Sequence, residues 1–265
     1  MEGSFSNYLI KYHTKRLRKI RALIDDLLEN KNEVGIHKLR IEIKKIKAFY
    51  RLIESIDPGF ESKKRFRQFN YIAKASNDIR DLQVILCLPE INDAKKGEFF
   101  LYLIKQRNKS LKNFNKALKN WDTNILKKTE AKVKVKIKAF GDVKIKNEIN
   151  KVLAESRENM KLFSEGNEQK KVHSLHSLRK LIKEQEHNLK LFSKMADKPS
   201  VKALKKLDSL QNAIGQWHDS QKTLELIDNF MKKKKSPDLM ISQLREKIGA
   251  TIAVQLEKIK ALQNK

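Results

Sequence analysis

Apolar residues recur along this chain at steps of three and four. Ile36, Leu39, Ile43, Ile46, Tyr50 and Ile53 follow that beat, and Val172, Leu175, Leu178, Ile182, Leu189 and Phe192 repeat it later. With 3.6 residues per turn, such spacing gathers the apolar side chains on one helical face, which then buries against its neighbours. Only 8 glycines and 4 prolines interrupt 265 residues, so the pattern predicts an all-α protein. Breaks fall at 29–35, 57–59, 88–97, 120–124, 140–142, 164–169, 196–200 and 232–238. At Ser236-Pro237-Asp238 a capping serine, a proline suited to the first turn and an early acid together predict a helix start. One stretch, KVKVKIK at 132–138, alternates with period two. Leu126, Thr129, Val133, Ile137 and Phe140 share a helical face across it, so it reads as a helix or a linker.

The helical pattern contains an internal repeat. IHKLRIEIKKIKAFYRLI (36–53) matches LHSLRKLIKEQEHNLKLF (175–192), pairing His37 with His176, Arg40 with Arg179, Lys44 with Lys183 and Arg51 with Lys190. A second block matches at nearly the same offset: SNDIRDLQVIL (76–86) lies over AIGQWHDSQKTLEL (213–226). Arg80 and Asp81 then stand opposite His218 and Asp219. The duplication predicts two halves of about four helices each, 1–124 and 144–265, with 125–143 as a linker or extra helix. The marked helices are second and third in each half.

Charge changes the picture from a plain helical protein to a binder. The chain has 59 Lys plus Arg against 32 Asp plus Glu, a net charge of +27 and a pI near 10.0, which points to a polyanionic partner. His37, Arg40, Lys44, Lys47 and Arg51 each lie one residue beyond an apolar position. They form a second stripe rotated about 100° from the first, with neighbouring cations roughly 5–6 Å apart. Glu42 is the sole acid between Val34 and Ile53 and lies off this row. His173, His176, Lys180, Lys183, His187 and Lys190 repeat the row in the second half. A charged row beside a core seam is ordinarily a solvated face. Two such rows in register, with few acids to offset them, read instead as walls of an anion-binding groove. Arginine offers phosphate a fork of donors, lysine a mobile charge, and histidine a donor whose charge depends on pH. Asp81 and Asp219 are expected to hold Arg80 and His218, with a plain helix–helix hydrogen bond as the competing reading.

Other chemistry finds little support. Glu184 and His187 have the spacing of half a di-iron carboxylate site, but its other half is missing and lysines surround it. No glycine-rich phosphate loop, nucleophile elbow or HExxH motif occurs, and His218-Asp219 has no nucleophile nearby in sequence. The expectation is therefore no enzyme, no metal and no cofactor. Cys87, alone in VILCL, is expected to be a buried structural thiol in a reducing compartment. No run approaches the ~18 apolar residues of a membrane span, and the start has no signal-like apolar core, so a cytoplasmic location is expected.

The blocks IHKLRIEIKKIK and NDIRDLQV, with LHSLRKLIKE and IGQWHDSQ, resemble the CHAD domain, the conserved histidine α-helical domain. His-x-x-Arg-x-x-x-Lys occurs twice, each time followed about 40 residues later by Arg-Asp or His-Asp, and the repeats cover most of the chain. The resemblance implies two pseudo-symmetric four-helix bundles, a basic surface for inorganic polyphosphate and an association with polyphosphate granules. Carried over by position, the ligands are His37, Arg40, Lys44, Lys47, Arg51, Arg80, His176, Arg179, Lys183, Lys190 and His218. Two departures stand out: Glu186 falls where Lys47 predicts a partner, and ASNDIR lacks the glycine that IGQWHD keeps. The Glu-x-Glu-x-Lys strand motif of the hydrolase domain that accompanies many relatives is absent, so binding without hydrolysis is expected. Nonspecific nucleic-acid binding is the second reading. Aromatic residues make up only 7% of the chain, and Tyr50, Phe192 and Trp217 read as core rather than as base-stacking platforms.

Overall fold

The computed structural model describes residues 4–30, 33–92, 97–164, 171–192, 201–233 and 239–263, with side chains left out at some helical positions, most of them in the second half. The described residues are helical and contain no strand. In chain order the elements are α1 Phe5–Asn30, α2 Glu33–Ile56, a 3-10 turn Pro58–Phe60, α3 Ser62–Leu86, the short α4 Pro89–Asn92, α5 Glu98–Lys119, α6 Thr123–Lys138, α7 Asp142–Ser164, α8 Lys171–Phe192, α9 Val201–Met231 and α10 Leu239–Gln263. KVKVKIK is thus part of a helix, and its cause is the apolar face: Leu126, Val133, Ile137 and Phe140 are buried. The break expected at 88–97 holds α4. The start expected at Ser236-Pro237-Asp238 lies outside the described residues.

Breaks end where side chains satisfy the helix termini. Asp57 caps the 3-10 turn by accepting from the Gly59 amide at 3.0 Å, and the Lys136 ammonium of α6 binds its other oxygen. Those donors hold its carboxyl below the usual range. Asp122 starts α6 by accepting from the Asn124 amide at 2.8 Å. Asp142, first in α7, accepts from Ser4 Oγ, Ser6 Oγ and the Ser6 amide, each at 3.1 Å, and so also anchors the start of α1.

The helices form two compact units that are not consecutive stretches. One holds the described residues up to Asn77, Ser110–Arg157 and the end of α8 from His187; the other holds Asp78–Lys109, Glu158–Glu186 and the chain from α9 onward. The chain passes between units inside α3, α5, α7 and α8, a partition different from the halves 1–124 and 144–265. In the first unit, α1 buries Leu9, His13, Leu17, Ile20, Ile24 and Leu27, packing against α2 and α6. Removing a leucine- or isoleucine-sized side chain from water contributes about 1.5–3 kcal/mol, and the stripe supplies several of them. The second unit has its own core, in which Leu82, Ile85 and Leu103 meet Leu178, Ile182, Ile214, Trp217 and Ile248.

Cys87 is exposed, contrary to the expectation of a buried thiol. It follows the last residue of α3, where the Cys87 amide reaches back only to the Val84 carbonyl at 3.1 Å and the chain turns. Ile85 and Ile91 take the inward positions there. No described helix is long and apolar enough to cross a membrane.

Candidate functional site

On α2 the expected core stripe is buried throughout: Ile36, Leu39, Ile43, Ile46, Tyr50 and Ile53 are each at most 2% exposed. The neighbouring row stands outside it, with His37, Lys44, Lys47 and Arg51 exposed and Arg40 half-buried. The one acid of this stretch is taken up elsewhere. Glu42 is buried, with Arg16 Nη1 of α1 at 2.9 and 3.1 Å from its two oxygens and Lys45 Nζ at 2.9 Å. Burial pushes its carboxyl up, but the hydrogen bonds from Lys45 and Arg16 outweigh this and hold it below the usual range.

The row also touches α3. Arg40 Nη1 donates to Ser76 Oγ at 3.2 Å and to Asn77 Oδ1 at 2.5 Å, and lies 3.5 Å from the Ala73 carbonyl. Lys47 Nζ stands 5.6 Å from the centre of the Phe66 ring. Glu54 accepts from the Ser62 hydroxyl at 2.6 Å and amide at 2.8 Å, capping α3 from α2. The Ser62 hydrogen bond, helped by Lys63 and Arg51, keeps the Glu54 carboxyl below its ordinary range. Arg40 is therefore a helix-to-helix tie as well as a member of the row.

Behind the row lies a buried polar group. His13 of α1 stacks on Phe49 with ring centres 5.2 Å apart, and its Nε2 is 3.2 Å from Tyr50 Oη. Burial pushes the His13 pKa down to about 3, so the ring is neutral near pH 7. The Tyr50 hydroxyl is pushed up by the same burial.

The second unit brings a different set together. Arg179 and Lys183 of α8 and Arg80 and Asp81 of α3 all lie within electrostatic reach of Asp219 of α9, and Asp81 acts on Arg179 as well. Burial lowers the Arg179 pKa, against the pull of Asp219 and Asp81. Burial raises that of Asp219; Arg179 draws it down, Asp81 reinforces the rise, and Arg80 and Lys183 oppose it. The sequence had grouped Arg80 and Asp81 with the α2 row. They belong to the unit of Arg179 instead, because the chain changes unit after Asn77. Asp219, expected to hold His218, answers to Arg179, Arg80 and Lys183. His218 itself is half-buried. His176 and Lys190 sit on α8, but their side chains lie outside the described residues, as does that of His173.

Sequence reasoning missed the surface against which each arginine rests. Arg179 lies against Gly215, where a Cβ would stand 3.6 Å from Nη2 and 3.9 Å from Nε. Its Nε is buried with no hydrogen-bond partner among the described residues. In the repeat Arg40 corresponds to Arg179 and Asn77 to Gly215. The missing glycine of ASNDIR is thus an asparagine that bonds the equivalent arginine. The available signal was position: Asn77 and Gly215 each precede the Arg80 or His218 mark by three residues. Chemically, both units offer arginine and lysine donors suited to anion oxygens. Among the described residues, no three His, Cys, Asp or Glu side chains converge as a metal site.

A family model, the CHAD domain, matches residues 11–228. The chain is also similar to the crystal structure of the CHAD domain from the plant Ricinus communis, with a TM-score of 0.77 at 14% identity, over 99% of this chain and 92% of that one. At that identity the likeness speaks for the fold alone. No curated protein matches the sequence.

Proposed function

The chain belongs to the CHAD domain family, and from that premise we propose that it binds inorganic polyphosphate without hydrolysing it, through the duplicated His/Arg/Lys rows. The observation that carries this reading is the α2 row: four cationic or histidine side chains stand exposed along about 20 Å of helix, while Glu42, the one acid between Val34 and Ile53, is buried and bonded to Arg16 and Lys45. A thin, flexible, base-free polyanion fits such a row better than DNA, whose recognition calls for base-stacking aromatics beside the cations or a helix free to enter a groove. The duplication is read as two pseudo-symmetric four-helix bundles, each mounting one row. The expected setting is cytoplasmic, on polyphosphate granules.

The test is titration with long-chain polyphosphate and, at matched phosphate and salt, with single-stranded and duplex DNA. Much tighter polyphosphate binding supports the reading; equal or tighter DNA binding favours a general nucleic-acid binder and removes it. Lys44→Glu with Arg51→Glu should weaken polyphosphate binding by about tenfold or more and flatten its salt dependence, with helicity kept. Lys127→Glu with Lys128→Glu, on the exposed face of α6, is the charge-matched control and should cost far less. Unchanged affinity in the α2 variant would remove the proposed site. If histidine charge takes part, affinity falls as pH rises from about 6 to about 8.

A further inference from the structure

A cavity of about 380 Å³ opens in the first unit, apart from the α2 row and sharing none of its residues. α3 contributes Arg67, Gln68, Tyr71 and Lys74, and the turn between α5 and α6 contributes Asn120 and Trp121. Arg67, Tyr71 and Lys74 follow at i, i+4 and i+7, which sets them on one outward face of α3. Tyr71 is 54% exposed, an aromatic ring open between two cations. No acid lines the cavity.

Its wall also contains unused hydrogen-bonding capacity. Trp121 Nε1, a donor, and Gln68 Oε1, an acceptor, are both buried with no hydrogen-bond partner among the described residues. Buried polar groups left so are uncommon and costly. Trp121 meets Phe69 edge-on with ring centres 5.5 Å apart. A ring platform, an unpartnered donor and an unpartnered acceptor in the wall, and two flanking cations have no use for a bare phosphate chain, which offers neither a ring nor a base edge. A nucleotide supplies a counterpart for each.

We propose that this cavity binds a nucleotide. The base stacks on Tyr71, its edge pairs with Trp121 Nε1 and Gln68 Oε1, and its phosphates lie between Arg67 and Lys74. Pockets of this size are ordinary for small ligands, and base–aromatic stacking is a substantial contributor in nucleic-acid sites. Neither buried atom is open to solvent, so the wall side chains must shift for a base edge to reach them. The Trp121 indole then reports occupancy directly.

The test titrates the full chain with ADP, and with tripolyphosphate as the base-free control, while following the two indole N–H resonances. Saturable ADP binding that moves the Trp121 resonance and leaves that of Trp217 in place is expected, with tripolyphosphate binding at least about fivefold more weakly at this cavity. Tyr71→Ala should weaken ADP by about fivefold or more and Tyr71→Phe by less than about twofold. Lys44→Glu with Arg51→Glu should leave ADP affinity unchanged, which separates this site from the polyphosphate row. Absence of saturable ADP binding, an unmoved Trp121 resonance, or indifference to Tyr71→Ala would overturn the proposal.

Discussion

The same motif stands in two electrostatic settings. On α2, Arg40 is held by neutral acceptors, Ser76 Oγ and Asn77 Oδ1, the local acid is bonded to Arg16 and Lys45, and the titratable group beneath the row, His13, is buried and neutral. On α8, the equivalent Arg179 rests on a glycine and faces two carboxylates, Asp81 and Asp219, contributed by other helices. Sequence spacing determines where a cation sits on its helix. What compensates that cation is decided by which helices the fold brings beside it, and the two copies solve this differently.

The largest effect should come from removing the two arginines in turn. Arg179→Met leaves Asp81 and Asp219 with Arg80 and Lys183 as the nearby cations, at an expected cost of about 2 kcal/mol, below the range for a fully buried pair because the group keeps some exposure. Arg40→Met loses hydrogen bonds to neutral partners, about 1 kcal/mol. Denaturant unfolding of both variants checks the order. Adding Asp219→Asn should recover part of the Arg179→Met loss, and no recovery would break the assigned pairing.

The next effect is in pH, where the two regions have opposite signs. The His13 pKa is lower folded than unfolded, so its contribution is present above about pH 6.5 and declines as pH falls toward about 3, by at most about 1.4 kcal/mol per pH unit. The Asp219 pKa is raised on folding, so its contribution is fully present below the unfolded value and is lost as pH rises through the folded one. Hydrogen exchange between about pH 7 and pH 5 should show protection falling in α1 and α2 but not in α8 and α9 from these groups. His13→Phe should remove the slope in the first unit. A slope that survives the substitution assigns it to another group.

The smallest effects separate the two supporting positions. Asn77→Ala removes one acceptor from Arg40 and should cost about 0.5 kcal/mol. Gly215→Ala adds a Cβ at ordinary contact distance from Arg179, 3.6 Å at the closest, while gaining helix propensity. A net stabilisation of a few tenths of a kcal/mol is expected. Thermal melts of the pair, compared at one pH, suffice.

Much of this was legible before any coordinates. Every position of the α2 stripe from Ile36 to Ile53 is buried, as helical periodicity requires, while Glu42, Ala48, Phe49 and Leu52, which the stripe did not include, are buried as well. The row beside it lies where the period puts it, and the similarity of the two blocks identified the family. The partners of Arg179 were not legible. Asp81 is about a hundred residues away in sequence, and its approach depends on which unit each part of α3 joins. Cys87 was misjudged for a related reason: composition around it is apolar, but a residue just past a helix end is not held to the helix's inward face.

The passage of the chain between units inside α3, α5, α7 and α8 has a consequence for synthesis. The first unit is incomplete until α8 ends, since Tyr8 Oη near the amino terminus donates to the Leu191 carbonyl at 3.0 Å. The core of the second unit joins Leu82 to Ile259. A ribosome adding about 5–20 residues per second must therefore deliver most of this strongly basic chain before either unit can close. Throughout that interval the nascent cationic helices are exposed to the cell's polyanions, RNA foremost among them.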